Sequence, residues 1–209
     1  LIRLLDPPFD RTPRDPGYIK AYPPGIRENG GQYTHAAAWF AIALARLGDG
    51  DGAKRLFDRI NPVNRTATRE DAARYLTEPY VVVADVAGAS PHEGRGGWSW
   101  YTGAAAWTWR LAVEEMLGLR LTGGRLRLAP CLPTGWREVE ATLVRAGGSL
   151  HVRIENPEGL STGVLTVTVD GAAWDEPEIP FPEGGGVRTV VARLGAARRQ
   201  TERAAEAAR

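Results

Sequence analysis

Residues 103–128, GAAAWTWRLAVEEMLGLRLTGGRLRL, contain the point at which the chain changes its period. The spacing predicts a helix from about Gly103 to Leu117, closed by Gly118, because a glycine after the last apolar turn terminates a helix cheaply. Beyond Gly118 the apolar residues alternate instead. Leu126 and Leu128 begin the series; Leu150, Val152 and Ile154, then Leu165, Val167 and Val169, then Val190, Ala192 and Leu194 continue it. Period two is the mark of half-buried strands, and Gly147-Gly148 and Asp170-Gly171 are turn pairs between runs. The chain therefore reads as helical to about residue 120 and as an antiparallel β-sandwich over 121–195. The last stretch, 196–209, is a charged helix-former with little apolar face.

The same reading extends upstream. Residues 31–47 give a helix with Ala37, Phe40, Ala41, Leu44 and Leu47 on one face and Ala36, Trp39 and Ala43 beside it, so most of its circumference is expected to be buried. A more polar helix follows at about 51–60. Thr68 caps a short helix to Tyr75, with Asp71 at the third position. YVVVADV, 80–86, fits either a strand or a buried helix. Residues 1–30 hold too many prolines and glycines for regular helix, and a loop of that length is uncommon unless it lines a site.

Composition bounds the function. The chain has 209 residues, 43% of them hydrophobic and 24% charged, which is globular rather than disordered. Its 26 basic and 25 acidic residues give a net charge of +1, so no nucleic-acid partner is expected. The longest apolar run, Ala36–Ala45, is too short to span a bilayer. With one cysteine, three histidines and no HExxH, neither an internal disulfide nor a metal centre is indicated. Cys131, in APCLP, has no histidine nearby in sequence to activate it. The chain starts at Leu1 and its single methionine is Met116, which reads as a piece of something longer.

Two segments share a design. In RENGGQYTHAAAW a Gly-Gly turn runs into a helix with His35 near its start, and in GRGGWSWYTGAAAW a glycine-rich loop leads to Thr102 and Gly103 at another helix start. Free amides at helix N-termini attract anions, so an imidazole, a hydroxyl and amides aimed at one point suit phosphate. The plainer alternative makes Thr102 a helix cap and His35 a core residue. Trp98 and Trp100 lie among glycines and are candidates to stack on sugar, with Arg95 and Glu28 as hydroxyl partners; Trp107 and Trp109 read as core. Asp85 and Glu78 lie near apolar sequence, but nothing in their spacing selects them as an acid–base pair. His92 is a weaker site candidate, and His151 points outward from a strand.

PPFDRTPRDPGYIKAYPPGIRENGGQYTHAAAW, NPVN, EPYVVVADV and PHEGRGGWSWYTGAAAWTWR, in this order, resemble the C-terminal part of the glycoside hydrolase family 94 phosphorylases. Within the family the resemblance is greatest to the phosphorylase-like region of cyclic β-1,2-glucan synthases and to 1,2-β-oligoglucan phosphorylases, over about residues 1–170. It implies the closing helices of an (α/α)6 toroid followed by a β-sandwich cap, divided as 1–120, 121–195 and a tail of 196–209. It also implies cleavage of a β-glucoside by inorganic phosphate with inversion, no cofactor beyond that co-substrate, and phosphate binding by His35, Thr102 and Gly103. Glu28 falls on the family's sugar-binding glutamate. The family's general acid is an aspartate upstream of everything in this chain, so no catalytic residue is assigned here and the chain alone is expected to be inactive. The implied partners are a β-linked glucooligosaccharide, phosphate and the upstream barrel, with a homodimer for the full-length enzyme. The implied location is the cytoplasm, as a free enzyme or the cytosolic part of a membrane-bound parent. A non-catalytic carbohydrate-binding module and a degenerate remnant are the alternatives.

Overall fold

The computed structural model describes residues 1–195; the charged helix expected over 196–209 lies outside the described residues. The chain forms two compact units, one of Leu1–Leu47 with Gly52–Ala112, the other of Gly48–Asp51 with the described residues from Val113 on.

The first unit carries helix α1 (Thr34–Arg46), most of α2 (Gly50–Ile60), α3 (Arg69–Tyr75) and α4 (Ala104–Arg110). Three two-residue strands, β1 (Gln32–Tyr33), β2 (Asp85–Val86) and β3 (Gly96–Gly97), form a small antiparallel sheet in the order β1-β2-β3. Tyr33 pairs with Asp85, and Asp85 with Gly97. Of the 80–86 run, then, only the last two residues are strand. At the start of α3 the Thr68 hydroxyl accepts the Asp71 N–H at 3.1 Å and donates to the Asp71 carboxylate at 2.7 Å, the cap expected from the sequence.

Residues 1–30 form an irregular loop with one 3-10 turn at Gly17–Ala21. Asn29, fully buried, pins it: its side chain accepts the Phe9 N–H at 2.6 Å and donates to the Tyr22 carbonyl at 2.8 Å. Gly25 has φ +87° and lies so close to Ala89 that a side chain there would collide with it. That crossing sets the 22–31 loop against the 87–98 loop.

Helix α1 packs its alanine face against α4, but its apolar circumference is only partly covered. Ala37, Ala38, Ala41, Ile42 and Ala45 are buried as the period requires, whereas Trp39, Phe40 and Leu47 are exposed. Trp39 meets Trp107 of α4 edge-on at 5.3 Å and still keeps half of its surface exposed. Trp109 is also exposed, contrary to the core role expected of it. The α-helical bonding of α4 ends at Arg110 and passes into a π-helical segment, Leu111–Met116, so the expected helix to Leu117 has a change of pitch within it.

The second unit is β-rich. Strands β4 (Leu119–Thr122), β5 (Arg125–Leu128) and β10 (Ile179–Pro180) make one sheet. The other has the order β6-β7-β11-β8-β9, from β6 (Glu138–Arg145), β7 (Gly148–Glu155), β8 (Val164–Val169), β9 (Ala172–Ala173) and β11 (Gly186–Leu194). Inward residues of both sheets share one core, including Leu126 and Ile179 from the first and Leu150, Ile154, Val190 and Leu194 from the second. The purely antiparallel expectation needs one correction. Strand β11 runs antiparallel to β8 but parallel to β7, because the chain leaves β9, passes through β10 of the other sheet and returns over residues 181–185 to enter between them. Asp170 and Gly171, both at positive φ, turn β8 into β9 as the sequence indicated. Asn156, fully buried, donates to the Trp136 and Leu160 carbonyls and accepts the Leu160 N–H, all at 2.8–2.9 Å. Cys131 is buried, and desolvation pushes its thiol up to about 11, as an inert core cysteine requires. His151 is exposed on β7.

Candidate functional site

The site begins in the loop that leads into β1. Arg27 in this loop sits at φ +49°. Its guanidinium carbon lies 5.5 Å from the ring centres of Tyr22, Tyr33 and Trp98 alike, within reach of a cation–π attraction to each. Its Nε lies 3.6 Å from Glu28 Oε2, an ion pair too long for a hydrogen bond. Glu28 keeps 15% of its side chain exposed.

Asp85, on the central strand of the small sheet, is buried behind this pair. Desolvation raises its carboxyl above the usual range; a hydrogen bond from the Arg27 main chain and the Arg27 charge oppose that, and Glu28 adds to it. Its neighbour across the ladder is Gly97, where a Cβ would stand 3.0 Å from Asp85 Oδ1. Glycine leaves the carboxylate its space.

On the other side of Tyr33 the chain enters α1. The Thr34 side chain is buried, and its main-chain N–H is taken by the Ala84 carbonyl at 2.9 Å. The His35 ring stacks near Tyr33 (6.3 Å, 15°), meets Trp39 edge-on at 4.5 Å and lies 5.4 Å from Trp107. Desolvation lowers its pKa, which favours a neutral imidazole. Trp107 belongs to α4, and its main-chain N–H reaches the Gly103 carbonyl at 3.3 Å. Gly103 occupies the N-cap position, and the hydroxyl of Thr102, one residue before it, accepts the Ala104 N–H at 3.0 Å.

Among the described residues, seven buried polar side-chain atoms have no hydrogen-bond partner, and five of them fall in this one region: Arg27 Nε, Glu28 Oε2, Thr34 Oγ1, His35 Nε2 and Asp85 Oδ1. A buried polar atom left unpaired costs about 1–3 kcal/mol. Such a concentration marks a site arranged for something other than its own stability. Donors, carboxylates and aromatic faces together suit a polyhydroxylated ring, with the neutral imidazole able to donate to an anion.

Of the residues singled out in the sequence, Glu28, His35 and Trp98 come together through Arg27 and Tyr33, and Gly103 is linked to His35 through Trp107. Trp98 is 60% exposed and stands at φ +58°. Trp100 pairs instead with Glu78, its indole N–H donating at 2.8 Å, which holds the Glu78 carboxyl below its usual range. Arg95 and His92 lie exposed on the same loop. Sequence reasoning missed Arg27 and Tyr33 and set Asp85 aside. The available signal was an ionisable residue inside an apolar run, and an arginine beside the glutamate already chosen. Among the described residues no group of three or more His, Cys, Asp or Glu side chains is placed to hold a metal ion.

Residues 1–118 match the family described as the glycosyl hydrolase 94 superfamily, catalytic domain, and residues 119–174 match the glycosyl hydrolase family 65, C-terminal domain. The chain is 46% identical over 172 residues to a cyclic beta-(1,2)-glucan synthase, NdvB, of Rhizobium meliloti, covering 82% of this chain and 6% of that protein. It is 33% identical to an N,N'-diacetylchitobiose phosphorylase of Vibrio furnissii, over 82% of this chain and 21% of that one. A 1,2-beta-oligoglucan phosphorylase of Listeria innocua is 29% identical over 51% of this chain and 11% of its own length. The chain thus spans between 6% and 21% of the length of these three relatives. A match that runs through the whole RENGGQYTH and GRGGWSWYTG region and over more than half of the residues shows that the protein belongs to the glycosyl hydrolase 94 superfamily.

Proposed function

We propose that this chain supplies the phosphate-binding and acceptor-side part of an inverting β-glucan phosphorylase or cyclic β-1,2-glucan synthase type of active site. The observation that carries the proposal is the concentration of five buried polar atoms without a hydrogen-bond partner at Arg27, Glu28, Thr34, His35 and Asp85. In this reading phosphate attacks the anomeric carbon from the face opposite the leaving sugar. The glycosidic oxygen takes a proton from a general acid held outside this chain, and the product is an α-sugar 1-phosphate. Phosphate is already a nucleophile, so the protein has to position it rather than activate it. His35, as a neutral imidazole, the Thr102 hydroxyl and the Gly103 N–H take that role. Glu28, Arg95, Trp98 and Trp100 face the sugar.

The same proposal makes residues 1–120 the closing part of an (α/α)6 barrel, 121–195 its β-sandwich cap and 196–209 a tail. Inorganic phosphate is then the sole co-substrate, and a β-linked glucooligosaccharide and the rest of the barrel are the partners. The full-length enzyme is a homodimer in the cytoplasm, or the cytosolic part of a membrane-bound parent. Among the described residues no helix is long and apolar enough to cross a membrane.

The exposure of Trp98, Trp100 and Tyr101 favours a second reading, a carbohydrate-binding module without catalysis. Titrating the chain with phosphate and with a β-1,2-glucooligosaccharide, followed by NMR, separates the two. The proposal expects His35 ring signals to respond to phosphate, and His35→Ala and Thr102→Ala to abolish phosphate binding. Saccharide binding with no phosphate response at His35 would favour the module.

A further inference from the structure

We infer that Arg27 is a positioning residue that joins Glu28 and Trp98 into one acceptor-sugar platform; this rests on the sugar-binding reading of Glu28 and Trp98 above. Three aromatic rings surround its guanidinium at equal distance, and only Trp98 among them comes from the 87–98 loop. Trp98 and Arg27 are both non-glycine residues at positive φ, +58° and +49°, a backbone state that bulky side chains rarely adopt. Strain of this kind persists only where surrounding contacts hold it, and here each residue is a contact of the other. With one side of the indole engaged by Arg27 and 60% of the residue exposed, the remaining surface is free to stack on the C–H face of a hexopyranose. The Arg27 Nε lies 3.6 Å from Glu28 Oε2, which orients that carboxylate from behind.

The surroundings argue against Arg27 as a phosphate ligand. Its Nε is buried, and its nearest charges are Glu28 and, through the field acting on its carboxyl, Asp85. An anion brought to this guanidinium would meet two carboxylates. Arg27 is therefore assigned to the shape of the sugar platform and not to the binding of the nucleophile.

Arg27→Lys and Arg27→Met in the full 209-residue chain test this. Lysine keeps the charge but lacks the flat guanidinium that stacks on rings. The indole N–H signal of Trp98, assigned with Trp98→Phe, is expected to shift and broaden in both variants while those of Trp136 and Trp174 stay in place. Affinity for a β-1,2-glucooligosaccharide is expected to fall about tenfold, the size of losing one to two cation–π contacts, and the His35 response to phosphate to persist. An unchanged Trp98 signal overturns the inference. So does full rescue of saccharide affinity by lysine, which would reduce the role to charge alone. If the unmodified chain binds no saccharide, the sugar-binding reading fails, and the Trp98 signal by itself decides whether Arg27 holds the loop.

Discussion

The two units treat buried polar groups in opposite ways. In the β-rich unit Asn156 makes three hydrogen bonds and buried Glu115 is met by Arg120 at 2.6 Å. Trp174 Nε1 is that unit's one contribution to the seven unpartnered buried atoms among the described residues. The helical unit contributes the other six, although it also contains Asn29, whose side chain is bonded at both its oxygen and its nitrogen. The same kind of loop chemistry is thus completed in one place and left open in another. Completion serves stability; openness leaves groups whose hydrogen bonds water or a bound ligand has to supply.

The comparison predicts where mutations hurt. The largest effect is expected in the apolar core of the β-rich unit: Leu150→Ala, at a fully buried position, lowers stability by roughly 2–5 kcal/mol in a denaturant titration. A loss below 1 kcal/mol would mean that the two sheets do not share the core described. Next comes Asn156→Ala, expected to cost about 3 kcal/mol, at about 1 kcal/mol for each of three hydrogen bonds. A cost near zero would erase the contrast with the open site.

Asp85→Asn tests the other side and has the opposite sign. Burial raises the Asp85 carboxyl's pKa in the folded chain, so the folded state holds its proton more tightly than the unfolded one. The group's contribution is fully present below the ordinary carboxylate pKa and is lost as pH rises through the raised value. At neutral pH the asparagine variant is therefore expected to melt higher than the unmodified chain, and the gap to close as pH is lowered. An asparagine variant that melts lower at neutral pH would show Asp85 to be a stabilising ion-pair partner. The smallest effect belongs to the surface. Glu140→Ala removes an exposed pair with Arg153 and is expected to change stability by less than about 1 kcal/mol.

Much of this contrast was legible in the sequence, and what was not has a physical reason. The Thr68 cap, the Asp170-Gly171 turn and the alternation of Leu150, Val152 and Ile154 are local signals, set by neighbours a few residues away. His35, Glu28 and Trp98 could be singled out as candidates because their motifs are contiguous. Arg27 was not, since its aromatic cage brings together residues 22, 33 and 98, and no local period encodes a meeting across 71 positions (98 minus 27). The exposure of Trp39 and Phe40 escaped for a related reason. A helix's apolar arc says which side can be buried, while the elements available to cover it decide how much is. The parallel pairing of β11 with β7 was equally invisible, because alternation is the same in either direction.

That last strand has a consequence for how the β-rich unit comes into being. Strand β11 is central in its sheet yet the last of the described strands to be synthesised. Until it arrives, β7 and β8 each present an unpaired edge, and the sheet exists only as two separate hairpins, β6-β7 and β8-β9. Its pairing with β7 joins positions 38 residues apart (Gly148 with Gly186), a long loop to close before any bond is gained. Emergence of β11, rather than of any earlier described strand, then sets the moment at which this sheet can close. A nascent chain stalled before Gly186 carries two open edges that invite pairing with other chains.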